Sequence, residues 1–279
     1  MRRILLPFLV FLSGACALTY EIAWGRMFSV LFGNSTHALA VVVAVFMAGL
    51  ALGGFFFGKV IDRFRRPLLT YAVVEAGIGV WALLVPQLLR AADPWIAALY
   101  ASGAPPAWAL LSVRLAVGVL VLIVPTSLMG ATFPIMSKLV VRNAEEVGEK
   151  IGLFYSLNTL GAMVGCFATG LYLLPALGVT HSTYVAVGIN VSIGSLALLL
   201  YYVEAGVVPT PSLPLAESFV PTLDGVRPKT TATGLVLIAL FVSGVASLSY
   251  ELIWSRILGF VFFTGMSVVS FTVVLTIFL

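Results

Sequence analysis

Long apolar runs separated by short polar breaks dominate this sequence. They fall at residues 4–32, 37–60, 68–90, 108–136, 151–174, 181–203 and 234–262, and an eighth run begins at 267 and reaches Leu279. Each of the first seven is long enough to cross a bilayer, whose hydrocarbon core of about 30 Å needs about 20 residues of helix. The pattern predicts an all-α, polytopic membrane protein. Six spanning helices occupy residues 1–203, a linker occupies 204–233, and residues 234–279 carry the first two helices of a second half. The eighth run is too short to span, so the chain reads as truncated.

Composition agrees with the pattern. Hydrophobic residues make up 61% of the chain and charged residues only 9%, too little charge to cover the surface of a soluble domain of 279 residues. The start, MRRILLPFLVFLSGACA, imitates a secretory signal ending at Ala15-Cys16-Ala17. Yet the same pattern returns in mid-chain as LFVSGVASLSYELIWSR, which favours a retained first helix. Basic residues collect in alternate loops: Arg2 and Arg3; Lys59, Arg63, Arg65 and Arg66; Lys138, Arg142 and Lys150; Arg227 and Lys229. The positive-inside rule then makes these loops, the amino terminus and the proline-rich linker (VVPTPSLPLAE) cytoplasmic. The opposite loops, GNST, ADPWIAALYASGAPP and PALGVT, are nearly free of cations. The net charge of +4 is this topology signal and calls for no nucleic-acid partner. Two cysteines and two isolated histidines give no metal spacing and no disulfide framework.

Ionisable residues inside the runs are the candidates for function, because a charge near the bilayer centre costs at least about 2.5–3.5 kcal/mol and must face protein or water. Tyr20, Glu21, Trp24 and Arg26 stand in the first run, and Tyr250, Glu251, Trp254 and Arg256 repeat them in the seventh. Glu21 and Arg26 lie about 140° apart around a helix, so they need other partners. Symmetry-related first and seventh helices would offer Arg256 to Glu21 and Arg26 to Glu251. Two readings stay open: buried bolts between helices, or a central cavity in which carboxylates beside aromatic faces attract a cationic or zwitterionic solute. Glu75, in the third run, is a third intramembrane acid, read either as a bolt or as a protonatable coupling site. Arg114 could not be assigned to it by depth. Asn158 and Asn190 read as interhelical hydrogen-bond groups and Tyr155 as packing. Gly49, Gly53, Gly54 and Gly58, with Gly161 and Gly165, read as close-packing positions. GLALGG follows no strand, so it is no dinucleotide fingerprint.

Six helices, a linker and a returning first helix form the plan of a two-half transporter. GKVIDRFRRP, with Gly58, Asp62, Arg63 and Arg66, resembles the G-x-x-x-D-R-x-x-R cytoplasmic loop of the major facilitator superfamily, in which an aspartate and arginines hold helix ends together. More of the chain resembles one family: bacterial fused proteins with a facilitator-like membrane half followed by a spermidine synthase-like domain. The resemblance rests on SGACALTYEIAWGRMF, FMAGLALGGFFFGKVIDRFRRPLLTYAVVEAGIG, PTSLMGATFPIMSK, GLFYSLNTLGAMVGCFATGLYLLPALGVT and SGVASLSYELIWSRIL. It implies a major-facilitator-like bundle in a bacterial inner membrane, with an aminopropyltransferase-like domain further along. No catalytic motif, cofactor site or metal site stands in these residues. The expected function is binding or transport of a small polar solute, such as a polyamine or an amino-acid-like molecule. The alternatives are an anchor or scaffold for the fused synthase-like domain and a membrane enzyme acting at the bilayer.

Overall fold

A computed structural model describes residues 2–33, 36–101, 103, 106–141, 146–206 and 230–261 of the chain. The described residues are helical and contain no strand. The helices are α1 (Arg2–Phe32), α2 (Thr36–Val60), α3 (Pro67–Ala101), α4 (Ala107–Val140), α5 (Val147–Ala168), α6 (Leu174–Gly206) and α7 (Thr230–Val261). A 3₁₀ turn, Ile61–Arg63, follows α2, and a π-helical stretch, Thr169–Leu173, joins α5 to α6. Five stretches are long and apolar enough to cross a membrane: Ile4–Phe32, Leu39–Arg63, Pro67–Ala101, Ala107–Val140 and Val147–Glu204. The last of these, 58 residues long, contains the fifth and sixth apolar runs. It is interrupted at Gly178, whose φ of 75° and ψ of 174° are not helical. Only glycine adopts such a conformation without strain, so the chain can turn back here with no intervening loop.

Contacts along the helices show that it does turn back. Gly161 meets the backbone of Phe11 and Gly165 that of Ala15, so α5 runs parallel to α1. Arg2 meets Glu204 at 3.3 Å and the Cys16 thiol meets the Ala186 carbonyl at 3.5 Å, so α6 runs antiparallel to α1. In the same way Gly49 abuts Thr126, Gly130 abuts Leu50, and the Lys138 ammonium donates to the Ile61 carbonyl at 2.8 Å, which makes α2 and α4 parallel.

The three closest partnerships are α1 with α5, α2 with α4, and α3 with α6. Advancing each helix number by three turns the first pair into the second and leaves the third unchanged. The glycines repeat the relation: Gly49 and Gly53 of α2 press on α4, and Gly161 and Gly165 of α5 press on α1, at the same four-residue spacing. A Cβ at Gly53, Gly161 or Gly165 would collide with the opposing backbone. A Cβ at Gly54 would lie 3.7 Å from the Gly130 carbonyl, an ordinary contact, and one at Gly58 would meet nothing within 4 Å, so the close-packing expectation fails at Gly58.

Basic side chains gather at one end of the bundle. Arg2 bonds Glu204 and the Leu139 carbonyl, Lys138 bonds the turn after α2 and lies 3.5 Å from Asp62, and the Arg66 guanidinium sits over Tyr201 at 5.9 Å. At the other end Arg114 donates to the Phe32 carbonyl at 3.0 Å and lies over the Phe32 ring. It thereby caps the carboxyl terminus of α1, where a cation is favoured by the helix dipole. This is the partner that depth counting did not find.

The third helix is longer than its apolar run. The expected outer loop ADPWIAALYASGAPP is helical as far as Ala101, because its alanine-rich sequence sustains the helix beyond the apolar run. Residues 207–229 of the linker and the eighth run, 267–279, lie outside the described residues.

Gly53→Val and Gly165→Val should each lower the apparent unfolding temperature of the purified protein by the equivalent of at least about 1–3 kcal/mol, the usual penalty for overpacking. Gly58→Val should leave it unchanged. Tryptophan fluorescence during heating in detergent reads all three.

Candidate functional site

Helix α1 presents two faces with different tasks. Ser13, Cys16 and Tyr20 recur at helical spacing and look toward α3 and α6. Val10, Ala17, Leu18 and Glu21 look into a cavity of about 720 Å³. Ser13 belongs to both.

The first face builds a polar seam centred on Glu75 of α3, which is fully buried. The Ser13 hydroxyl donates to its Oε1 at 2.7 Å, and the Asn190 amide nitrogen donates to its Oε2 at 2.5 Å. The Tyr20 hydroxyl donates to the other end of the Asn190 amide at 2.8 Å. Tyr71, one turn before Glu75, adjoins the same carboxylate with its buried hydroxyl. Three helices are thus joined through one acid, and the donors around it are neutral. Burying a carboxylate without such donors would be costly, because the interior cannot replace its hydration.

The second face holds Glu21, which is 1% exposed yet lines the cavity. The other walls include Phe46 and Met47 of α2, Met129 and Phe133 of α4, and Tyr155 and Asn158 of α5. Ser13, Tyr71 and Asn190, the three residues that touch Glu75, line it as well. Ser247 of α7 also reaches it. Glu75 itself therefore stands immediately behind the cavity wall.

The residues singled out in the sequence separate accordingly. Tyr20 and Trp24 are completely buried, stacked on each other with centroids 4.8 Å apart, and they point into the helix contacts and not into the cavity. Arg26 is half-buried. Tyr250 and Trp254 are exposed on α7, whose Leu248 packs against the small cluster of Ile22, Val43 and Cys166. The side chains of Glu251 and Arg256 lie outside the described residues, and so do the proposed pairs Glu21 with Arg256 and Glu251 with Arg26. In the loop after α2, Asp62 and Arg63 are exposed, and Lys138 fastens the turn through backbone carbonyls. Among the described residues no cluster of His, Cys, Asp or Glu could hold a metal ion.

Sequence reasoning missed Ser13, Cys16 and Tyr71 as neighbours of Glu75. A signal was present: Ser13, Cys16 and Tyr20 share one helical stripe, and Tyr71 and Glu75 stand four residues apart on another.

An all-helical bundle with a cavity backed by a buried acid is the class these features define. The chain is similar to polyamine aminopropyltransferase 1 of Streptomyces coelicolor, with 29% identity over 222 residues, covering 77% of this chain and 38% of that protein. It is also similar to polyamine aminopropyltransferase 2 of the same organism, 27% identical over 195 residues and covering 33% of that protein. The polyamine aminopropyltransferase of Mycobacterium tuberculosis is 29% identical over 203 residues, which are 35% of its length. The chain thus spans about a third of the length of the curated relatives it matches, and the likeness supports a spermidine synthase-like relationship. No protein-family model and no solved structure matches it.

Asn190→Leu removes the donor to Glu75 and the acceptor of Tyr20 together, and should cost about 1–3 kcal/mol of apparent stability, the desolvation penalty of groups left unpaired. In that background Tyr20→Phe should add little. A double-mutant cycle read by thermal unfolding should show coupling of about 0.5–3 kcal/mol, whereas additive losses would mean the bond contributes nothing.

Proposed function

We propose that this chain is a membrane-embedded, facilitator-like helical bundle that binds a small amine-bearing solute, a polyamine in the first instance, in the cavity lined by Glu21. The observation that carries the reading is the placement of a buried carboxylate in the wall of a cavity of about 720 Å³. That size falls within the range of about 300–1,000 Å³ typical of small-molecule sites. An ammonium group entering it would meet a carboxylate in surroundings of low dielectric and the aromatic faces of Phe46, Phe133 and Tyr155. The relatives named polyamine aminopropyltransferases make a polyamine the natural first probe.

The facilitator-like arrangement is supported by the helix pairing, in which α1–α3 correspond to α4–α6 as inverted repeats would. The gathering of Arg2, Lys59, Arg63, Arg65, Arg66, Lys138 and Lys150 toward one end supports a cytoplasmic placement of that end in the bacterial inner membrane. A spermidine synthase-like domain, fused or associated, would face the bundle from the same side and exchange a polyamine or its precursor with the cavity.

Calorimetric titration of the purified protein with spermidine should show saturable binding. Glu21→Gln should weaken it about ten- to a hundredfold, in keeping with about 1.5–3 kcal/mol for a hydrogen bond to a charged group. If the folded protein binds neither spermidine nor putrescine, the cavity reading falls. An anchoring role for a synthase-like partner then takes its place.

A further inference from the structure

The structure assigns Glu75 as a proton-binding site that sets the hydrogen-bonding polarity of the cavity wall, and so couples solute binding to release of a proton. The inference rests on the solute-binding reading above only for the identity of the ligand. The proton site itself follows from the geometry of the seam.

Three observations carry it. The acid is fully buried, yet Ser13, Tyr71 and Asn190, which adjoin its carboxylate, also line the cavity, so Glu75 is one side chain removed from that space. The groups facing it are Ser13, Cys16 and Tyr20 from α1, Tyr71 from its own helix, and Asn190 from α6. None of these is a cation, and among the described residues no Lys, Arg or His bonds it. A carboxylate held only by neutral donors can lose its charge by taking up a proton without stranding a counter-ion, unlike a carboxylate in a buried ion pair. The third observation is chemical. Ser13 carries a hydroxyl, which can give or accept a hydrogen bond, whereas the Asn190 nitrogen can only give one.

Protonation therefore has a defined consequence. With Glu75 charged, the Ser13 hydrogen is committed to Oε1 at 2.7 Å, and the lone pairs of Ser13 Oγ are what it offers to the cavity. A proton added at Oε1 forms an O–H bond whose hydrogen points at Ser13 Oγ. The Ser13 hydroxyl then rotates to accept, and its own hydrogen is released toward the cavity. Oε2 keeps its bond from Asn190, so no heavy atom has to move. The wall thus changes from acceptor to donor and loses a negative charge behind it. Both changes disfavour an ammonium group. A cationic solute entering the cavity reverses them: the proton leaves Glu75 for a base in the surrounding water, and Ser13 turns back to the carboxylate.

The test has two arms. In the first, infrared difference spectroscopy of the purified, solute-free protein across the pH range in which the fold persists should show a protonated-carboxyl band. That band should be absent in Glu75→Gln and retained in Glu21→Gln. If the band is present in Glu75→Gln, or if no Glu75 band changes with pH, the proton site is refuted, whatever the solute proves to be. In the second arm, spermidine is titrated calorimetrically in two buffers of different ionisation enthalpy. The wild-type protein should release a proton on binding. Its affinity should fall about tenfold per pH unit on the acidic side, as one linked proton requires. Glu75→Gln should bind with no proton release, at the affinity of the acidic wild type. Ser13→Ala should keep the infrared band but flatten the pH dependence of binding. It also serves as the second variant if Glu75→Gln does not fold. Proton release that persists in Glu75→Gln would overturn the coupling. Absence of spermidine binding together with a titrating Glu75 band would remove the solute reading and leave the proton site standing.

Discussion

Direct backbone contact between helices is the constraint from which the rest of this structure follows. Five stretches are long and apolar enough to cross a membrane, and helices of that kind gain little there by hiding hydrophobic surface from one another, so close packing and interhelical polar bonds hold such helices together. Glycine supplies the packing. Gly161 and Gly165 let α5 lie on the backbone of α1, and Gly49 and Gly53 let α2 lie on that of α4. Once those two pairs are formed, α3 and α6 are left to each other, with Gly79 against Val187 and Asn190, and Gly194 against Ala72 and Ala76. Side chains at Gly53, Gly161 or Gly165 would collide with the opposing backbone and push the helices apart.

The polar seam and the cavity are two products of the same packing. Because α1 is gripped by α5 on one side and by α3 and α6 on another, its Ser13–Cys16–Tyr20 stripe is enclosed. Glu21, a short rotation away around the helix, lines the cavity. Two acids on two helices thereby acquire different surroundings. Glu75 is bonded by Ser13 and Asn190 within the bundle, and Glu21 forms part of the cavity wall. The Thr19 and Thr169 hydroxyls, 2.9 Å apart, tie α1 to the π-helical stretch that joins α5 to α6.

The two ends of the bundle are fastened differently. At the basic end, Lys138 donates to the turn after α2, and Arg2 bridges the ends of α4 and α6. In the loop after α2, Asp62 lies 3.5 Å from the Lys138 ammonium, and the other bonds at this end run from lysine and arginine to Glu204 and to backbone carbonyls. Those carbonyls lie at or just past helix termini, where a cation is favoured. At the opposite end Arg114 does the same for α1. Among the described residues, Arg2, Lys138 and Arg114 all bond backbone carbonyls at or beside helix ends.

Much of the fold was legible in the sequence because the apolar runs are set by length and composition alone, which require no knowledge of neighbours. The first six runs became helical segments of the bundle, and the packing roles of Gly49, Gly53, Gly161 and Gly165 could be read from their spacing. Where a helix ends is less legible: α3 outran its apolar stretch because alanine and leucine sustain a helix in either environment, and the reversal between the fifth and sixth runs hangs on one glycine, Gly178. The importance of Glu21 and Glu75 was visible, since an acid in an apolar run is costly wherever it points. What each acid faces was not visible. Residues 13, 75 and 190 are far apart in the chain, and a hydrogen bond depends on positions within a few tenths of an ångström that only the crossing of α1, α3 and α6 determines. The sequence by itself therefore determined which residues must find partners, and the tertiary structure decided which partners they found.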